Sequence, residues 1–104
     1  MAPKFPSVSL SVIVVNWNTV DLLRDCLRSL YDDREAECWQ VIVVDNGSED
    51  GSGAMVRREF PQVELIENEA NAGFVGGNNR GLQVAGGKFL LLLNPDTVVE
   101  PGAL

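Results

Sequence analysis

Histidine is absent from this chain. That removes Ser-His and Cys-His nucleophile pairs and the commonest zinc ligand. The two cysteines, Cys26 and Cys38, have neither metal-binding nor redox spacing. Cys26 falls on the apolar face of an expected helix and reads as a small buried hydrophobe. Basic residues are few, 8 Lys and Arg against 15 Asp and Glu, giving a formal net charge of −7. The basic residues are scattered, so no stripe exists to neutralise the phosphates of a nucleic acid or an anionic membrane. No apolar run approaches the length needed to cross a bilayer. Met1-Ala-Pro-Lys-Phe-Pro6 lacks the apolar segment of a secretory signal, so the cytoplasm is the default location.

A length of 104 residues with 45% hydrophobic content suits one domain with an ordinary core. The pattern alternates strand and helix four times. Residues 9–15 are apolar and β-branched and read as a first strand. A helix is expected over 20–31, capped by Thr19 or Asn18, with Leu23, Leu27, Leu30 and Tyr31 on one face. Residues 32–38 read as a charged surface loop, and 39–44 as a second strand ending at Asp45. A short helix over 53–60 stops at Pro61, and 63–67 is a short third strand. Residues 73–84 read as a third helix ended by Gly86-Gly87, and 88–93 as a fourth strand. That strand has no polar alternation, which predicts burial on both faces. Pro101-Gly-Ala-Leu104 resembles the start of another helix, so the chain reads as an N-terminal piece of a longer protein. Strand–helix alternation implies right-handed crossovers, a parallel sheet and α/β/α layers.

In a parallel sheet all strand ends share one rim, where open α/β folds bind ligands. The polar residues there are Asn16-Trp17-Asn18, Asp45-Asn46-Gly47-Ser48, the stretch from Asn68 to Asn71, and Asn94-Pro95-Asp96. Such a rim suits ribose, base edges and a hard cation, although the same residue types also build turns. An acid at the end of a second parallel strand, as Asp45 is, commonly meets a nucleotide ribose. The loop after strand one has no Gly-x-Gly-x-x-Gly, and no Gly-x-x-x-x-Gly-Lys-Ser/Thr occurs. Phosphates must therefore be held another way, and a divalent cation on Asp96 is economical. Gly76, Gly77 and Gly81 weaken the third helix, since each costs roughly 1 kcal/mol relative to alanine. Something must require close backbone approach or a free helix N-terminus there. Asn78 or Asn79 is expected to reach a loop or a ligand, and Arg80 either a phosphate or solvent.

Three motifs occur in order on this frame: Val44-Asp-Asn-Gly-Ser-Glu-Asp-Gly-Ser52, Asn71-Ala-Gly-Phe-Val-Gly-Gly-Asn-Asn-Arg-Gly81 and Leu93-Asn-Pro-Asp-Thr97. With them the chain resembles the N-terminal half of a family 2 glycosyltransferase, most of all the rhamnosyltransferase-like branch. The resemblance implies the Rossmann-like, nucleotide-binding half of a GT-A fold. It implies a UDP- or dTDP-sugar donor, dTDP-rhamnose included, with Mg²⁺ or Mn²⁺. It also implies inverting transfer to a glycan or lipid-linked acceptor, at the cytoplasmic side or the inner face of the membrane. Asn16, Trp17, Asn18 and Asp45 would meet base and ribose, with Asn46, Ser48 and Asp50 close by. Asn71, Gly73, Phe74, Asn78 and Gly81 would shape the donor pocket. Asn94 stands where the family's Asp-x-Asp has its first acid, and Asp96 takes the metal-binding last position. Asn94 offers a carbonyl but no charge, so weaker metal affinity is expected. The family's catalytic base would lie beyond Leu104. An open sheet edge would invite self-association, which makes a homodimer an expected partner. The alternative is a non-catalytic nucleotide-binding or interaction module on the same frame. A nucleotidyltransferase is disfavoured, because no Gly-rich loop bearing Arg and Lys follows strand one.

Overall fold

The computed structural model describes residues 9–100 and 102–104. Four strands and three α-helices alternate: β1 Leu10–Asn16, α1 Val20–Tyr31, β2 Gln40–Asp45, α2 Ser52–Glu59, β3 Glu64–Glu67, α3 Gly73–Val84 and β4 Phe89–Leu93. Every strand pair is parallel, and the order is β3-β2-β1-β4. The order therefore reverses after β3, and the crevice between β1 and β4 is the switch point.

β1 and β2 are the centre of the sheet because each is β-branched and apolar on both faces. One face, with Val12, Val14, Val41 and Val43, packs against Leu23, Leu27 and Leu30 of α1 and Met55 and Val56 of α2. The other face, with Ile13, Val15, Ile42 and Val44, lies under α3. The glycines of α3 make that layer close. A Cβ on Gly77 would stand 2.5 Å from Val15 Cγ1, and one on Gly81 2.6 Å from Ile13 Cγ2. The close approach expected from these glycines is thus the seating of α3 on β1.

A buried polar cluster closes the opposite end of the sheet. Ser11 Oγ donates to Gln40 Oε1 at 2.8 Å, and Gln40 Nε2 donates to the Val84 carbonyl at 2.9 Å. The Gly86 amide donates to Gln40 Oε1 and the Gly87 amide to Ser11 Oγ, both at 2.8 Å. These bonds fix where α3 ends and the chain returns into β4.

Four expectations need correction. β4 is not buried on both faces: Phe89, Leu90 and Leu92 are 68%, 50% and 47% exposed. β4 is one of the two edge strands; among the described residues it is bonded only to β1, and no helix covers its outer half. Residues 32–38 are not a plain loop but contain a 3₁₀ helix, Arg34–Cys38, anchored by buried Ala36. Thr19 occupies the cap position of α1 without a side-chain cap bond, a role that passes to Asp50 (below). Residues 102–104 form a turn rather than a helix start, with the Ala103 amide donating to the Glu100 carbonyl at 3.0 Å. Pro101 and residues 1–6, on which the reading of the signal segment rests, lie outside the described residues.

Candidate functional site

The ends of β1 and β2 are level, with Asn16 paired to Asp45 in register, and Asp45 to Glu67 of β3. Asn16 is fully buried and Asp45 is 5% exposed. Asn16 Nδ2 donates to Asp45 Oδ1 at 3.0 Å, and Ser48 Oγ donates to the same oxygen at 2.6 Å. The Ser48 amide donates to Asp45 Oδ2 at 3.1 Å. An ionised carboxylate offers about four acceptor positions. Oδ2, with one bond among the described residues, keeps capacity for a further donor.

The loops after β1 and β2 are stitched together through Ser48, Asn18 and Asp50. Asn18 takes φ +52, a left-handed conformation that Asn tolerates. Its amide donates to Ser48 Oγ at 2.8 Å, and its Oδ1 accepts from the Glu49 amide at 2.8 Å. Asp50 Oδ2 accepts from the Val20 amide at 2.9 Å, at the first turn of α1. Asp50 Oδ1 accepts from the Ser52 amide and hydroxyl at 3.0 and 2.5 Å, at the start of α2. One carboxylate thus caps two helix N-termini, where negative charge is favoured. Burial works against its charge, but the bonds from the Ser52 side chain and the Val20 and Ser52 amides outweigh it and lower its pKa.

Asn46 is 2% exposed and turns away from the rim. Its Nδ2 donates to the Gly73 carbonyl at 3.0 Å, and its Oδ1 accepts from Asn68 Nδ2 at 2.8 Å and the Ala72 amide at 3.4 Å. It holds the 68–73 loop and so places the start of α3. Asn71 Oδ1 accepts from the Gly73 amide at 2.7 Å, closing a turn that Gly73 completes at φ +77. Asn78 is 7% exposed, and its side-chain carboxamide makes no hydrogen bond among the described residues. Trp17 and Phe74 stand at the rim, 53% and 57% exposed. Arg80 is exposed, and among the described residues it reaches only Gln83, at 3.4 Å.

β4 ends lower, with Leu93 level with Val14. Asn94 and Asp96 are exposed, and Asp96 has no hydrogen bond or ion pair among the described residues. Cys26 lies beneath this turn, its Sγ 4.0 Å from the Asn94 carbonyl. Burial first, and the charge of Asp96 second, push the Cys26 thiol up to about 11.

A cavity of about 390 Å³ opens between the ends of β2 and β3, lined by Asp45, Ser48, Gly51, Glu67 and Asn68 among others. Glu67 was not among the candidates read from the sequence, although it carries the signal that singled out Asp45, a carboxylate at a strand end. The structure brings Asn16, Asn18, Asp45, Ser48 and Asp50 into one hydrogen-bonded group. It ties Asn46 to Gly73 and Asn71 in another, and it leaves Trp17, Phe74, Asn94 and Asp96 outside both. No group of three or more His, Cys, Asp or Glu forms a ready metal cluster among the described residues. A free, exposed Asp96 fits a hard cation bound by one carboxylate and completed by phosphate oxygens. No helix among the described residues is long and apolar enough to cross a membrane.

A parallel sheet with a polar rim at its switch point defines an α/β protein of the nucleotide-binding kind. Residues 11–104 match the model of glycosyl transferase family 2, and the chain belongs to that family. It is 34% identical over 98 residues to the Escherichia coli (strain K12) glycosyltransferase YibD, covering 88% of this chain and 27% of that protein. The mannosyltransferase PcManGT of Pyrobaculum calidifontis, solved with GDP-Man and Mn²⁺, superposes with a TM-score of 0.76 at 28% identity. That match covers 84% of this chain and 27% of PcManGT. Staphylococcus aureus TarS 1–349 with UDP-GlcNAc also gives 0.76 at 28% identity, covering 85% of this chain and 26% of TarS. The chain thus spans about a quarter of the length of these relatives. Sheet order and layers agree with the nucleotide-binding half of the GT-A fold.

Proposed function

We propose that this chain carries the donor-binding half of a glycosyltransferase domain. The enzyme would move a sugar from a UDP- or dTDP-sugar, dTDP-rhamnose among them, to an acceptor hydroxyl with inversion. One observation carries the reading: a buried, hydrogen-bonded Asp45 and a free, exposed Asp96 stand at strand ends on either side of β1. Two strand spacings, about 10 Å, separate β2 from β4, which leaves room for a ribose and an extended diphosphate. Asp45 Oδ2 would accept from a ribose or base group, a charge-assisted bond. Trp17 would offer its exposed ring for stacking on the base. Asn46 acts through the 68–73 loop rather than on the ligand. Asp96 would hold Mg²⁺ or Mn²⁺, which when bound supplies charge to stabilise the departing diphosphate. Asn94 adds a neutral carbonyl beside it.

Family membership supports transferase chemistry, and neighbours solved with UDP-GlcNAc and with GDP-Man and Mn²⁺ support a nucleotide-sugar and a divalent cation. The acceptor would be a glycan or lipid-linked hydroxyl, met in the cytoplasm or at the inner face of the membrane. The exposed β4 edge is the feature on which a homodimer rests.

Calorimetric titration of the chain with UDP, dTDP and GDP, with and without Mn²⁺, tests the reading. UDP or dTDP should bind, more tightly with metal, and Asp96→Ala should abolish the metal-dependent gain. Asp45→Ala should weaken uridine binding whether or not metal is present. Binding of GDP alone would refute the donor assignment, and binding of none of the three would refute the site.

A further inference from the structure

Ser29 lies in the body of α1, 8% exposed, among buried Leu23, Cys26, Leu27 and Leu30. Packing alone would favour an apolar residue there, and a buried hydroxyl needs partners. Its Oγ donates to the Cys26 carbonyl at 2.6 Å, the back-bonding that serine makes within helices. The same Oγ accepts from the Val99 amide at 2.9 Å, across 70 residues of sequence. Val99 is itself buried in the main core, 8% exposed. At the other end of this loop the Asn94 carbonyl receives the Thr97 amide at 3.0 Å and lies 4.0 Å from Cys26 Sγ. One turn of α1 therefore touches the loop on both sides of Asp96, weakly through the Cys26 thiol at Asn94 and by a full hydrogen bond through Ser29 at Val99. Asp96 makes no side-chain bond of its own among the described residues, so its position follows from the backbone alone.

We propose that Ser29 is a positioning residue for Asp96, fixing the Asn94–Val99 loop from beneath so that the carboxylate faces the β1/β4 crevice. The inference rests on the reading of Asp96 as cation and diphosphate ligand. A ligand displaced by about 1 Å loses much of its effect, which is why such a group needs a rigid support.

The test compares the 104-residue chain with its Ser29→Ala and Ser29→Thr variants, titrating UDP with and without Mn²⁺ and following amide exchange at Val99. Loss of one buried hydrogen bond should speed Val99 exchange about fivefold or more in Ser29→Ala and shrink the Mn²⁺-dependent gain by a similar factor. Metal-free UDP binding should stay unchanged, and Ser29→Thr should restore both losses. If Ser29→Ala does not fold, Ser29→Cys keeps the shape with a weaker acceptor and is read in the same way. An equal fall of metal-free and metal-dependent binding would mark a general structural role and overturn the proposal. A Mn²⁺-dependent gain that Asp96→Ala removes but Ser29→Ala leaves intact would overturn it while the reading of Asp96 stands. A wild-type chain with no Mn²⁺-dependent gain would remove that reading, and the inference with it.

Discussion

Asn16 and Asp45 face each other across two neighbouring parallel strands, joined by a 3.0 Å bond from Asn16 Nδ2 to Asp45 Oδ1. Both side chains are buried, and this bond, with those from Ser48 and Thr19, replaces water around them. The pair does two things at once. It levels the ends of β1 and β2, and it presents one oxygen of Asp45 to the rim.

Replacing Asp45 separates these roles. Asp45→Ala leaves the buried Asn16 amide without its carboxylate partner, which should cost about 1–3 kcal/mol of stability. Asp45→Asn keeps the shape but removes the charge and turns one acceptor into a donor. Urea denaturation should show both variants destabilised, Asp45→Ala the more. A variant as stable as the wild type would show that water replaces the carboxylate without penalty.

Asp50 should make stability depend on acidity. Its folded carboxyl holds its proton less tightly than the ordinary value of 3.8, because the Ser52 and Val20 bonds outweigh its desolvation. The unfolded state therefore binds more protons in that range, and stability rises with pH there. The contribution is complete well above 3.8 and is lost as pH falls through the lower folded value. Asp50 is exposed, so the effect is modest. Asp50→Ala should flatten the acid limb of the stability profile and remove the caps of α1 and α2, at about 1 kcal/mol each. A profile with an unchanged acid limb would take the caps away from Asp50.

Much of this was legible in the sequence, and the exceptions share a cause. The central strands announce themselves because residues 10–16 and 40–45 must satisfy two apolar faces. The glycines of α3 were legible as a signal of close approach, because glycine weakens a helix unless something demands it. β4 reads the same whether it is central or at an edge, since burial depends on what lies beside it. Asp45 and Asn46 are adjacent letters with opposite destinations, one at the rim and one beneath the 68–73 loop. The cap of α1 comes from Asp50, 30 residues away from Val20, and Ser29 meets Val99 across 70. No local pattern encodes such partners.

The two cysteines should differ sharply in reactivity. Cys26 is fully buried and its thiol is raised to about 11, so little thiolate exists at neutral pH. Cys38 is exposed in the 3₁₀ helix. Iodoacetamide at pH 8 should label Cys38 in the native chain and reach Cys26 only on unfolding. Equal labelling of both by mass spectrometry in native buffer would show that α1 opens readily over the Asn94 turn.

The glycines of α3 set propensity against packing, and packing should win. Alanine would gain about 1 kcal/mol of intrinsic helix stability at each position. At Gly77, however, the new Cβ would stand 2.5 Å from Val15 Cγ1, and at Gly81 2.6 Å from Ile13 Cγ2. Both neighbours are buried β-branched residues of β1, whose side chains are stiff. Overpacking of this kind costs typically 1–3 kcal/mol, so Gly77→Ala and Gly81→Ala should both come out destabilised. Gly76 provides the control, because its Cβ would meet only Ala72 Cβ, at 3.0 Å, on the exposed rim loop. Gly76→Ala should be close to neutral. Gly77→Ala also pushes towards Asn46 Nδ2, at 3.1 Å, and so should disturb the 68–73 loop more than Gly81→Ala does. Denaturant midpoints measure the first effect, and amide exchange at Ala72 and Gly73 measures the second. If Gly77→Ala raised stability, α3 would have to sit farther from β1 than this structure places it.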